Sequence, residues 1–474
     1  MRRIFLLTVI FLFLILPAKA KITLPSVLGN HMVLQQNTNA ALWGKAEQDS
    51  KITVYTSWNK ARYKTTVDKD GNWQLLVKTT QAGGPYIIKL SDGENLLLTD
   101  VYLGEVWFCS GQSNMEMPVK GFVAQPVNNS LQTIIESEDY PQIRFFTAKQ
   151  TPAAEPQFNV AGKWDVASIK TTGNFSATAY FFALKLHKRL KVPVGMIHAS
   201  WGGASIETWM SKETLSQVEE VDLQNINANS KSPQVEPTLL YNGMLMPVSK
   251  YTIRGAIWYQ GENNKNKPKL YAKLFPLLVK NWRTLFSQTE FPFYYVQITP
   301  YKYQGGERLE SAYLREVQLK SQYVIPNSGM AVTMDIGSLN SAHPADKQSV
   351  GQRLSLIALA KTYGYKLPYK GPEYKSKEIK GNKIVLTFNY ADNGLIFKNE
   401  QMTGFQISGD SLDFVDAQVK RIAKDRLEIW SDLVANPVHV RYCFKNFAVG
   451  TLMNCYGLPA SSFRTDEVTL KVVK

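Results

Sequence analysis

The sequence predicts an α/β domain built on a mostly parallel, three-layer sheet, with an all-β module on either side of it. Three observations predict it. Short β-branched and aromatic runs separated by turn signals fill the chain from Lys21 to about Leu103, and again from about Pro368 to Lys474. Between them, buried-strand runs alternate with helical periodicities, the pattern of a parallel sheet covered on both faces. Polar clusters then follow the C-terminal ends of those strand runs, where open α/β sheets place their sites.

In chain order, Met1-Arg2-Arg3 precedes an apolar run from Ile4 to Leu16 interrupted only by Thr8, and Pro17-Ala18-Lys19-Ala20 supplies a small-residue cleavage pattern. Residues 1–20 therefore read as a secretory signal peptide, too short for a comfortable membrane span. The mature protein is expected in the periplasm or outside the cell. Residues 21–103 form the first β module, sandwich-like, with strands expected at Lys51–Thr56, Ala61–Val67, Asn72–Lys78 and Tyr86–Leu90 and turns at Asp70-Gly71 and Asp92-Gly93.

Residues 104–367 form the α/β domain. Helices are expected at Ala177–Leu190, Tyr271–Phe286, Leu309–Tyr323 and Asp346–Tyr363, and Pro276 must either kink its helix or mark its true first turn. Buried strands are expected at Val194–Ala199, Ile253–Tyr259, Pro292–Thr299 and Gly329–Asp335. Residues 368–474 form the second β module, with strands at Lys383–Phe388, Gly404–Ile407, Arg426–Trp430 and Val438–Cys443. No low-complexity linker separates the three parts, so they are expected to pack together.

The chain has 474 residues, 44% hydrophobic and 20% charged, enough to bury a sizeable core in two or three domains. Its formal charge is +15, and the first twenty residues carry three of those charges, leaving +12 on the mature chain. The lysines and arginines are scattered and no nucleic-acid motif accompanies them, which argues against nucleic acid and leaves an acidic substrate or anionic surface. Of the three cysteines, Cys443 and Cys455 lie close in sequence; an oxidising compartment would allow them to pair, and the sequence leaves that open. Cys109 lies in an apolar strand run and reads as a small buried hydrophobe. No metal-ligand spacing is present, and no cofactor is implied.

One stretch organises the chemistry: Val101-Tyr-Leu-Gly-Glu-Val-Trp-Phe-Cys-Ser-Gly-Gln-Ser113-Asn-Met-Glu-Met-Pro118. An apolar run breaks at Ser110-Gly111, and Ser113 arrives on the turn that follows. A serine hydrolase needs its hydroxyl at such a strand end, near backbone N–H groups that can hold an oxyanion. An isolated Gly-x-Ser is more often a plain turn, and Met115 stands where the Gly-x-Ser-x-Gly elbow has its second glycine.

A serine nucleophile needs a base, and there are five histidines. His31 lies in the first β module, His187 on a helix surface, and His439 in a C-terminal strand. His198 ends a buried strand and is expected in the interior. His343 lies in the loop Asn340-Ser-Ala-His-Pro344 beyond a strand end, where an imidazole can reach a serine on another strand end. Gly202 and Gly203 offer backbone N–H groups for close approach to a substrate oxygen, and Gln260, Gly261 and Glu262 follow another strand. Taken singly, each of these is an ordinary glycine-rich turn or helix cap.

Taken in order, they resemble a family. The block Gly104–Pro118 with its Cys-Ser-Gly-Gln-Ser-Asn-Met-Glu looks like the first block of the sialate O-acetylesterases, SGNH-type carbohydrate esterases. Ser200-Trp-Gly-Gly-Ala-Ser-Ile-Glu-Thr-Trp209 resembles the second. Tyr241-Asn-Gly-Met244 with Arg254-Gly-Ala-Ile-Trp-Tyr-Gln-Gly-Glu262 resembles the third, and His343-Pro-Ala-Asp-Lys-Gln-Ser-Val-Gly-Gln-Arg353 the last. Gly457-Leu-Pro-Ala-Ser-Ser-Phe-Arg464 is similar to the family's C-terminal strand region, so the likeness runs through the whole mature chain.

The resemblance implies an SGNH-hydrolase-like fold, Ser113 as nucleophile and His343 as base. It also implies an oxyanion hole from the Ser113 N–H, a glycine N–H of Gly202-Gly203 and the Gln260 side chain. The acid behind the histidine stays open, because Ser341 and Asn340 occupy the places where related enzymes often carry aspartate. Asp335 ranks slightly ahead of Glu262, and a Ser–His dyad supported by Ser341 or a backbone carbonyl is the remaining arrangement. The implied substrate is an O-acetylated sialic acid. Acetylated xylan or another polysaccharide is the alternative, and a non-catalytic glycan-binding module the reading from a different class.

Overall fold

The computed structural model describes residues 21–303 and 309–466, so the expected signal segment lies outside the described residues. Its backbone is organised on one strand of seventeen residues, β1 (Asn95–Gly111). The C-terminal half of β1 is buried at every position, which a run of Val, Trp, Phe and Cys tolerates only at the centre of a sheet. Around it stand β2 (Ile143–Thr147), β3 (Trp164–Val166), β4 (Val194–Ser200), β5 (Gly255–Tyr259), β6 (Phe293–Val296) and β7 (Ser328–Ala331). The spatial order is β7-β6-β5-β1-β4-β2-β3. All neighbours are parallel except the edge strand β3, which runs antiparallel to β2.

The helices that frame the sheet and the site are α1 (Ser113–Glu116), α2 (Ala177–Leu190), α3 (Pro268–Leu285), α4 (Glu310–Val324) and α5 (Lys347–Lys361). Adjacent residues of β1 show how they cover both faces of the sheet. Trp107 meets Phe182 of α2 edge-on at 5.0 Å, while Phe108 points the other way and meets Trp282 of α3 at 5.3 Å. α2 begins where Ser176 Oγ accepts the Ala179 N–H at 3.2 Å and ends at Lys191 in the left-handed region. α3 takes Pro268, not Pro276, in its first turn, and Pro276 lies inside the helix.

The N-terminal module and the central sheet share β1. Its first half pairs with Gly83–Ser91 and its middle with Val33–Gln35, before the same strand continues between β4 and β5. The division drawn at 103/104 therefore falls within a continuous strand. A second layer, Asn39–Lys45 against Asn72–Lys78, covers this part.

The C-terminal module holds two four-stranded antiparallel sheets over its own core. One runs Glu373–Lys380, Lys383–Asn389, Arg426–Trp430, Gln418–Ala423. It is fastened to the α/β domain by buried polar contacts. Arg315 of α4 reaches the Lys445 carbonyl and, at 3.2 Å, Ser462 Oγ, while Gln297 donates to Ser461 Oγ at 2.7 Å. The Cys443–Cys455 pairing that the sequence left open is not formed: both thiols are free, Cys443 buried and Cys455 exposed with its Sγ turned to the Asn393 carbonyl. Closeness in sequence did not bring the two together, because Cys443 ends a core strand and Cys455 lies on a surface turn. Cys109 is buried, and burial pushes its thiol pKa up.

Candidate active site

Register fixes where the site lies. Ser110 stands beside Ala199 of β4 and Trp258 of β5, and Gly111 beside Ser200 and Tyr259. Three strands thus end at one level, and the turns that begin at Gln112, Trp201 and Gln260 lie side by side above them. Gly111 has φ +142°, and a Cβ there would stand 2.1 Å from the Tyr259 carbonyl oxygen, so only glycine allows this approach. Gln112 completes the junction by accepting the Gly261 N–H at 3.1 Å. α1 follows immediately and carries Ser113 at its first position.

Ser113 Oγ lies 2.7 Å from His343 Nε2. The histidine comes from the long loop between β7 and α5, and its other nitrogen, Nδ1, lies 2.6 Å from Gln125 Oε1. An amide oxygen only accepts, so Nδ1 carries the proton and Nε2 presents its lone pair to the serine hydroxyl. Gln125 sits on a tight hairpin, with Phe122 and Gln125 exchanging backbone hydrogen bonds at 3.0 Å around Val123-Ala124. Gly121 lets the hairpin close, because a Cβ there would lie 2.4 Å from the Gln125 carbonyl oxygen. Ser341 Oγ donates to the same Gln125 oxygen at 3.2 Å and accepts the His343 N–H at 3.0 Å. Phe122 closes one side of the imidazole at 5.4 Å between ring centres. The histidine pKa is lowered to about 4, first by burial and then by the nearby Lys347 ammonium, so the ring is neutral near pH 7.

Neither acidic candidate touches His343. Asp335 is held by Arg353 of α5 through two hydrogen bonds of 2.7 Å, a buried bidentate pair. Glu262 accepts the Asn114 side-chain N–H at 2.6 Å, so one residue stands between it and the nucleophile. The third partner of the serine–histidine pair is the neutral Gln125, which sequence reasoning missed. Nothing in Phe-Val-Ala-Gln-Pro distinguishes it from surface loop, and it meets His343 across 218 positions of chain.

The expected oxyanion donors are placed unevenly. Gly202 adjoins the nucleophile, and a Cβ there would lie 3.6 Å from Ser113 Cβ, but its N–H donates to the carboxylate of Glu116, one turn along α1. Burial raises the Glu116 pKa. Gly203 has φ +74° in the same turn. Gln260 is fully buried, and its side-chain N–H groups go to the Ala204 carbonyl at 3.1 Å and Asn264 Oδ1 at 2.6 Å, so its amide braces two loops rather than facing Ser113. The Ser113 N–H opens a helical turn and has no acceptor within it.

The other histidines lie elsewhere. His198 is interior with Nε2 2.6 Å from Ser200 Oγ, and His31 pairs with Asp100 at 2.6 Å. His187 is half-buried and donates to the Val192 carbonyl at 2.7 Å, closing the C-terminal end of α2 rather than facing solvent as the sequence suggested. His439 faces the Thr465 carbonyl. Among the described residues, no cluster of His, Cys, Asp and Glu could hold a metal ion, and no helix is long and apolar enough to cross a membrane.

Comparison with known proteins bears on what this site belongs to. Residues 103–359 match the family model described as carbohydrate esterase, sialic acid-specific acetylesterase. The sialate O-acetylesterase of Rattus norvegicus is 31% identical over 447 residues, covering 81% of each chain, and that of Homo sapiens is 29% identical over 419 residues. A crystal structure of a carbohydrate acetylesterase from Xanthomonas citri superposes with a TM-score of 0.86 at 33% identity, covering 94% of this chain and all of that one. The matched span begins within β1 and ends within α5, so it encloses Ser113, Gln125, Gly202 and His343 together. The chain belongs to the sialic acid-specific acetylesterase family of carbohydrate esterases.

Proposed function

We propose that the protein is an exported serine esterase that removes O-acetyl groups from sialic acids through an acetyl-Ser113 intermediate. The observation that carries this reading is the 2.7 Å contact between Ser113 Oγ and the unprotonated Nε2 of His343. Ser113 Oγ attacks the acetyl carbonyl carbon while its proton passes to Nε2. The tetrahedral oxyanion is held by the Ser113 N–H together with a glycine N–H of Gly202-Gly203, the Gly202 N–H only by leaving the Glu116 carboxylate, and a donor of this kind contributes roughly 3 kcal/mol. Collapse breaks the bond to the sugar oxygen, which takes the proton from His343. Water then attacks the acetyl-enzyme with His343 again accepting a proton, and acetate leaves as the proton returns to Ser113.

A nucleophile after the first central strand, a glycine turn after the second and a histidine ahead of the last helix support the SGNH-type arrangement. The net charge of +12 beyond residue 20 favours an anionic sugar, and the leader-like residues 1–20 support export. The test pairs a fluorophosphonate probe with acetate release. Wild-type protein is expected to label and the Ser113→Ala variant to lose both label and turnover; equal labelling of the two overturns the reading. Faster acetate release from acetylated xylo-oligosaccharides than from O-acetylated sialic acid overturns the substrate assignment alone.

A further inference from the structure

Behind the Ser113–His343 pair lies a buried polar cluster with no place in the reaction as written above. Lys347, the first residue of α5, is fully buried, and its Nζ donates to Asn114 Oδ1. The Asn114 side-chain nitrogen donates to Glu262 Oε1 at 2.6 Å and to the Ala342 carbonyl at 3.0 Å. Glu262 Oε2 is buried with no hydrogen-bond partner. Lys347 also lies over the Tyr259 ring, 5.6 Å from its centre.

This arrangement gives Asn114 one orientation. Turning its amide over would set the carbonyl oxygen against Glu262 and the NH₂ against the ammonium, two mismatches in a site closed to water. The locked amide follows Ser113 directly in sequence, and the carbonyl it holds belongs to the residue before His343. One side chain therefore clamps the nucleophile turn to the loop of the base, although these lie 230 positions apart. A buried amine is costly, and an apolar residue would fill the same space at less cost.

We propose that Lys347 is a positioning residue for acyl transfer: it fixes Asn114, and through it the His343 loop. The proposal rests on the Ser113–His343 reading. The charged and titratable groups facing this region are Lys347 and Asp346 from the start of α5, Glu262 from the turn after β5, Glu116 from α1, and Asp335 and Lys398 across the neighbouring cleft of about 450 Å³. Burial lowers the Lys347 pKa to about 7, with Glu262 and Asp346 opposing. The amine is therefore charged over the acidic range in which a histidine ordinarily takes up its proton. Its like charge disfavours imidazolium there.

The test separates charge from hydrogen bond. Lys347→Gln keeps a donor for Asn114 and removes the ammonium; Lys347→Met removes both. On an aryl acetate, the acid limb of kcat/KM is expected to move to higher pH by about half a unit or more in both variants. The alkaline plateau of kcat is expected to stay within roughly threefold in Lys347→Gln and to fall about tenfold or more in Lys347→Met. A kcat plateau in Lys347→Met within threefold of wild type overturns the proposal, whatever happens to the acid limb. Should neither variant fold, Asn114→Asp gives a second reading: it can still accept from Lys347 but cannot donate to the Ala342 carbonyl, and kcat is expected to fall about tenfold or more with little change in KM. A kcat within threefold of wild type overturns the proposal. Failure of the underlying reading is distinct, because Ser113→Ala would then retain turnover.

Discussion

Gln125 Oε1 stands 2.6 Å from His343 Nδ1, on the side of the imidazole opposite Ser113. An amide in this place fixes the tautomer and the ring direction as a carboxylate does, but it adds no charge to stabilise the imidazolium that forms during acyl transfer. A low pKa of the histidine follows from the same neutrality, since no carboxylate contact counters the effects of burial and Lys347.

Two substitutions at position 125 check this. Gln125→Ala removes the acceptor, and kcat on an aryl acetate is expected to fall about 10- to 100-fold with little change in KM. Gln125→Glu places a carboxylate beside the Nδ1–H and stabilises the imidazolium. The histidine pKa then rises by roughly 1–3 units, and the acid limb of kcat/KM moves to higher pH. A limb that stays in place in Gln125→Glu removes Gln125 from this role.

Asp335 serves the fold rather than the histidine. Asp335→Ala leaves the Arg353 guanidinium buried without its partner, at an expected cost of about 3 kcal/mol in urea unfolding. Turnover per folded molecule is expected to stay within a few-fold of wild type. A large loss of kcat with unchanged stability would return Asp335 to the catalytic residues.

Gly111→Ala brings together a backbone at φ +142° and a Cβ 2.1 Å from the Tyr259 carbonyl. The strand ends must separate, with an expected loss above about 3 kcal/mol and a fall in kcat, because Ser113 is two residues on. Gly364→Ala is the comparison. It has φ +72° with nothing within 4 Å of the added carbon, and is expected to cost only about 1 kcal/mol. Equal melting temperatures for the two variants would contradict the close approach.

Acid sensitivity follows from the buried histidines. Burial lowers the His198 pKa to about 4, and its Nδ1 has no hydrogen-bond partner. The folded value lies below the unfolded one, near 6.5, so the unfolded chain binds the extra proton first and stability falls as pH drops from 6.5 towards 4. The melting temperature is expected to be flat above pH 6.5 on this account and to decline below it. His198→Gln should make the decline shallower, which thermal unfolding across that range measures.

The sequence pattern carried the alternation of strands and helices, and α2 appears with the expected bounds, Ala177–Leu190. His343 was legible because histidine is rare in this chain, and Ser113, one serine among many, because its block resembles the first block of the family. Gln125 was not. Its role comes from where a hairpin of no special composition lies in space, and Gly121 is a trace of that hairpin only once the fold is known. Asp335 misled for the opposite reason: a carboxylate near a strand end looks catalytic until Arg353, a helix away, is seen to neutralise it. β2 escaped because Ile143–Thr147 is a run of only five residues interrupted by the charged Arg144. The division at 103/104 assumed that a change of pattern marks a change of domain, whereas one strand can belong to both.

That shared strand has a mechanical consequence. β1 is hydrogen-bonded into the N-terminal layer along its first half and into the parallel sheet along its second, with Ser113 just beyond its end. No hinge can form between the two parts without breaking a strand in its middle, so they are expected to unfold as one cooperative unit, a single transition in urea. The nucleophile is thereby tethered to residues more than 20 Å back along the strand, at roughly 3.3 Å per residue. Changes at the Gly83–Ser91 edge are then transmitted to the active site as stiffness, without any side chain of that edge approaching the substrate.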